Sequence, residues 1–166
     1  MILSMLCLCT IIACFSSYFV KALSLSSGEE ITIQADFATI DEAKGMVVYE
    51  GNVILLQGAF TLKGKMIRAK SDDDNVTSFF ANGNPAFFSQ QRKSSDKQYV
   101  EGRATQISYH SKDKKIILKG NASISLGDSE FAGDDISYFL ETGKMAAKGT
   151  KEDRVKMKMK PDAINE

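Results

Sequence analysis

The sequence predicts an all-β protein, and an elongated roll of stacked strands rather than a compact two-sheet sandwich. Three observations carry that prediction. From Ile31 onward apolar and polar residues alternate with period two, and no window sustains a helical period for more than about two turns. One sentence is written twice, as YEGNVILLQG over residues 49–58 and as LKGNASISLG over residues 118–127. Glycine corners also recur between the alternating stretches, at Gly51, Gly83, Gly120 and Gly149.

Taken in order, the chain begins with MILSMLCLCTIIACFSSYFV, which holds no charged side chain, followed by Lys21 and a run of small residues. Ala22 and Ser24 satisfy the small-x-small rule for cleavage, so residues 1–24 read as a signal peptide and 25–166 as the exported domain. Two alternatives stay open. The apolar run is just long enough to be retained as a membrane anchor, and Ile-Ile-Ala before Cys14 resembles the box that precedes a lipidated cysteine. All three cysteines, Cys7, Cys9 and Cys14, fall in this leader, so a cleaved product has neither a disulfide framework nor a Cys-ligated metal.

In the exported part, ASISL at 122–126 alternates apolar residues with serine, and VKMKMK at 155–160 places lysine at every second position. The offset between the two sentences is 120 − 51 = 69, and it aligns Gly51 with Gly120, Asn52 with Asn121, Gly58 with Gly127, Gly64 with Gly133 and Ile67 with Ile136 without a gap. Gly83-Asn84 and Gly149-Thr150 echo the same corner. Glycine reaches positive φ where a strand turns sharply, and asparagine tolerates that region better than most residues. Strand, corner, strand is therefore the repeating unit, and repeated units stack in layers. The alternation then assigns faces. Ser123 and Ser125 point out, with Ala122, Ile124 and Leu126 inside; by the repeat Val53 and Leu55 are inside and Ile54 outside. Ile31, Ile33, Val47, Tyr49, Ile116 and Leu118 join the interior, as do Phe88 and Tyr109. Ile54, Leu56, Phe87 and Ile117 leave apolar side chains on the outward parity, read as contact between layers, with an exposed binding surface as the alternative.

Catalytic chemistry has little to work with. Lysine plus arginine and aspartate plus glutamate stand at 21 each, so no net field draws the chain to nucleic acid. His110 is the sole histidine and sits where a strand runs into a charged turn. The aspartates at 72–74 and 134–135 match no EF-hand spacing and read as solvated turns. Phosphate loops, nucleophile elbows and HExxH motifs are missing, so no enzyme, metal site or cofactor is expected.

Five stretches in collinear order, VYEGNVILLQG, NGNPAFF at 82–88, VEGRATQISY at 100–109, LKGNASI with AGDDISY at 132–138, and RVKMKMKP, resemble the OstA-like family of periplasmic lipopolysaccharide transport proteins. The resemblance implies a slightly twisted β-jellyroll of antiparallel strands, open at both ends and lined by apolar side chains. It also implies a periplasmic location in a Gram-negative bacterium and a groove for the lipid A acyl chains of lipopolysaccharide, with Ile31, Ile33, Phe88 and Tyr109 at groove-facing positions. The implied partners are related jellyroll domains of inner- and outer-membrane transport proteins, and further copies of the chain joined head to tail. The edges expected to join are the strand carrying Ile31, Thr32 and Ile33 and the strand carrying Val155, Met157 and Met159. A membrane-anchored subunit of the same route and a closed structural β-roll without ligand are the alternative readings.

Overall fold

A computed structural model describes residues 30–72, 75–93 and 96–159. The leader, Cys14 and the tail after Pro161 lie outside these residues. Ten strands follow one another: β1 (Ile31–Gln34), β2 (Phe37–Asp41), β3 (Met46–Gln57), β4 (Phe60–Asp72), β5 (Asn75–Lys93), β6 (Asp96–His110), β7 (Lys115–Leu126), β8 (Ser129–Phe139), β9 (Met145–Lys148) and β10 (Lys156–Lys158). All join one antiparallel sheet, in which β3 to β8 pair in chain order. Each end is formed by two short strands in place of one long one. β1 and β2 pair with the two halves of β3, and β10 and β9 with the two halves of β8. The all-β jellyroll expected from the sequence is therefore present as a single sheet that is not closed.

The long strands cross from one half of the sheet to the other through a column of register shifts, between Glu50 and Val53, Lys63 and Met66, Asn82 and Ala86, Arg103 and Gln106, and Lys119 and Ala122. Backbone chemistry places them there. Gly51 and Gly120 lie at φ of 78° and 77°, and the asparagines that follow, Asn52 and Asn121, at 47° and 50°. Left-handed backbone is where glycine carries no Cβ penalty and asparagine a reduced one. The first corner is latched by Asp36, whose amide donates to the carbonyls of Glu50 and Gly51 at 3.1 Å and whose carboxylate accepts from Asn52 Nδ2 at 3.0 Å. Sixty-nine residues on, Thr105 Oγ1 donates to the Gly120 carbonyl at 3.2 Å.

The duplication extends to the ladders. Ile33 pairs with Leu55 as Gly102 pairs with Ile124, and Ala38 with Tyr49 as Ile107 with Leu118. Lys63 pairs with Phe87 as Ala132 pairs with Lys156. In each case the offset is 69. The molecule is thus two four-strand units in series: β1 with β2, β3, β4 and β5 form the first, and β6, β7, β8 and β9 with β10 form the second. Ile67 and Ile136, aligned by the repeat, are both fully buried.

Among the remaining features, a 3-10 turn at Glu42–Lys44 links β2 to β3. It is capped by Asp41, which accepts from the Lys44 amide at 3.2 Å and from its ammonium at 2.7 Å. The Ser71 amide donates to Gly45 at 2.8 Å and straps this turn to the end of β4.

Replacing either corner glycine by alanine imposes left-handed backbone on a residue with a Cβ, a loss of about 1–2 kcal/mol each. Gly51→Ala is expected to lose more than Gly120→Ala. The φ values match, but the new methyl at position 51 runs into the Asp36 carboxylate, whereas at 120 it meets Thr105 Oγ1 at 2.9 Å. Urea unfolding of the two variants measures both; equal losses would show that backbone strain acts alone.

Candidate functional site

Side chains on one face of the sheet form rows that run across the strands, from one end of the roll to the other. In the first half Ile33, Leu55, Leu62, Phe88, Gly102, Ile124, Phe131 and Met157 stand opposite one another in turn. In the second half Ala38, Tyr49, Ile67, Ala81, Ile107, Leu118, Ile136 and Ala147 do the same. Neither row contains a charged residue. Facing residues pair from β-branched, aromatic and small side chains, the combination that packs best across strands.

The two halves meet through these rows. Phe60 of one half and Tyr109 of the other have ring centroids 5.9 Å apart. Gly102 is the gap in the middle of the first row, and the space above it is taken by the Phe88 ring and by Leu118 of the opposite half, whose Cδ2 lies 2.7 Å from where a Cβ would stand. Val53, Leu55, Phe88, Tyr109, Ile116, Leu118 and Ile124, all placed inside from the sequence, are buried. Ile31, Ile33 and Tyr49 are partly buried and pack against that core from the β1 and β2 end. Val47 is half-buried opposite Ile40, and both line a depression of about 970 Å³. The sequence-based list omitted Leu62, Ile67, Ala81, Ile107 and Ile136, which the rows place in the same interior, and Tyr138, which is buried opposite Ile116.

On the outer face, no second layer of described residues covers the apolar side chains that the sequence leaves on the outward parity. Leu56 is exposed, and Ile54, Phe87 and Ile117 are half-buried. Phe87 is instead flanked by its cross-strand neighbours, with Arg103 5.1 Å and Lys63 6.0 Å from the ring centroid. Arg68 over Phe80 at 5.8 Å and Lys115 over Phe139 at 5.2 Å repeat the arrangement. The aliphatic stems cover the rings while the charges stay in water. His110 is exposed at the end of β6, and no group of His, Cys, Asp and Glu among the described residues could hold a metal ion.

Of the expected assembly edges, Ile31, Thr32 and Ile33 lie on β1, Met157 lies on β10, and Val155 and Met159 flank it. Both ends are broader than expected, since β2 and β9 extend them. Phe37 and Ile40 at one end are 61% and 67% exposed, and Met157 and Met159 at the other are 50% and 64% exposed. An apolar interior therefore ends in apolar rims.

Residues 32–144 match the family described as LptA/(LptD N-terminal domain) LPS transport protein. A relative in Pseudomonas aeruginosa, the lipopolysaccharide export system protein LptH, is 32% identical over 123 residues, 70% of this chain and 68% of its own. The lipopolysaccharide export system protein LptA of Escherichia coli K12 is 27% identical over 147 residues, 87% of this chain and 78% of its own. The crystal structure of LptH, described as the LptA homologous periplasmic component of the lipopolysaccharide transport device of P. aeruginosa, superposes with a TM-score of 0.74 at 26% identity, covering 80% of this chain and 96% of that one.

Two outcomes follow from the interior. Gly102→Ala forces a methyl into the Phe88 ring and should lose about 1–3 kcal/mol in a denaturant titration, with part recovered when Phe88→Leu is added. The second concerns pH. Burial pushes the Tyr49 phenol above its ordinary 10.0, and burial does the same at Tyr109, where Lys114 pulls it down and Glu141 pushes it up. A proton held more tightly when folded stabilises the fold in full below the unfolded value, and that contribution is lost as pH rises through the higher folded value. Stability should therefore fall as pH rises past about 10, and Tyr49→Phe with Tyr109→Phe should flatten that fall in thermal melts across pH. The part due to Lys114, raised by its hydrogen bond to Glu141, remains.

Proposed function

The chain belongs to the LptA/(LptD N-terminal domain) lipopolysaccharide transport family, and on that premise we propose that it carries lipopolysaccharide through the periplasm by holding the acyl chains between the two halves of its sheet. The observation that supports this reading is the pair of uncharged rows that cross every layer and end in exposed apolar rims. An acyl chain of a dozen carbons costs about 10 kcal/mol to expose to water, at about 0.8 kcal/mol for each methylene. Rows that offer the same contacts at each strand make movement along the roll nearly level. Such a carrier requires no catalytic group and no nucleotide, and net direction comes from an energy source elsewhere in the route.

Entry of a chain requires the halves to part, because Phe88 and Leu118 fill the space over Gly102. The corner column is the line about which they separate, since Phe60 and Tyr109 touch across it by side-chain contact alone. The same packing supports the second reading, a closed structural roll with no ligand. Continuity of the route would come from head-to-tail joining of copies, and of related jellyroll domains in membrane partners, through the β1 and β10 edges.

Placing a photo-crosslinking residue at Phe88, and separately at Ser123, in cells tests the first reading against the second. Lipopolysaccharide attached at Phe88 and not at outward Ser123 is expected. A folded, exported protein that captures none at either position identifies the closed roll.

A further inference from the structure

Inside one chain the two four-strand units meet where β5 pairs with β6: Phe87 stands opposite Arg103, Phe88 opposite Gly102, Gln90 opposite Val100, and, across the corner, Phe79 opposite Tyr109. By the duplication, β10 is the counterpart of the second half of β5, and β9 that of its first half. β1 and β2 are in the same way the counterparts of β6. The edge that β9 and β10 turn outward is thus the edge that β5 turns to β6, and the edge that β1 and β2 turn outward is the one that β6 turns to β5.

Resting on the head-to-tail reading, we infer that a second copy of this chain docks in the register of the β5–β6 junction. Met157 then lies opposite Ile33, Lys158 opposite Thr32, and Met159 opposite Ile31. In the other half Met145 lies opposite Ile40, and Lys148 opposite Phe37. This register covers the exposed apolar side chains of each rim with those of the other: Met157 at 50% and Met159 at 64% meet Ile33 and Ile31, and Ile40 at 67% meets Met145. Lys148 against Phe37, which is 61% exposed, repeats the arrangement of Arg103 against Phe87. The first row continues unbroken from Phe131 and Met157 of one copy to Ile33 and Leu55 of the next. The corners pin the register. Asp36, the latch of the first unit, falls level with the turn between β9 and β10, whose Gly149 is the counterpart of Gly83. A slip of two residues sets a corner of one copy against a straight segment of the other.

The test uses mixtures of two full-length chains, each with one substitution, oxidised together, with linked peptides identified by mass spectrometry. One mixture pairs Met157→Cys with Ile33→Cys, and a second pairs Lys158→Cys with Thr32→Cys. Adjacent antiparallel pairs alternate between wide and close spacing, so one of the two mixtures holds the geometry a disulfide needs. These pairs should link about tenfold more than the slipped pairs Met157→Cys with Ile31→Cys and Lys158→Cys with Glu30→Cys, because diagonal neighbours stand roughly 7–8 Å apart. Filaments in which the slipped pairs dominate overturn the register and leave head-to-tail joining intact. Chains that sediment as monomers and link nowhere overturn both.

Discussion

Every long strand of this sheet has to leave one half and enter the other at the same level, and that constraint organises the molecule. A strand that bent one residue early would put its neighbour's carbonyls out of reach and turn its own side chains to the wrong face. Gly51 with Asn52 and Gly120 with Asn121 meet the constraint through left-handed backbone, and Asp36 and Thr105 fix the bend from the adjacent strand. With the bends aligned, two apolar faces come to lie against each other, and the interior follows.

The bends also explain which parts of the interior can be read from sequence. In β3 the inward residues on either side of the corner, Tyr49 and Val53, are an even number apart, and so are Leu118 and Ala122 in β7; alternation carries straight through. In β4, β6 and β8 the corresponding steps are Gly64 to Ile67, Ala104 to Ile107 and Gly133 to Ile136, each odd. Alternation changes phase there. This is why Ile116 and Ile124 are legible from pattern, and Val53 and Leu55 from the repeat, while Ile107 and Tyr138 emerge only from cross-strand pairing. The repeat that aligns Ile67 with Ile136 contained the missing signal. Family resemblance supplied the jellyroll and the expectation of a groove; neither composition nor periodicity contains them.

The interior is filled by side chains, although the sheet that makes it is open. Phe88 lies over Gly102, and Leu118 reaches the same point from the other half. Hydrogen bonds hold strands together along the roll, whereas side-chain contact holds the two halves together across it. The second kind of contact is apolar and non-directional.

Both ends of the sheet are divided edges: β1 and β2 at one, β9 and β10 at the other, each pair separated by the bend. An exposed straight edge recruits any extended peptide and is a common beginning of amyloid. Here a straight strand can satisfy the carbonyls and amides of one short segment of three to five residues and then runs off into solvent. Only a chain already folded over the same corner reaches both segments at once. The shape of the edge thus screens its own visitors, rejecting unfolded chains.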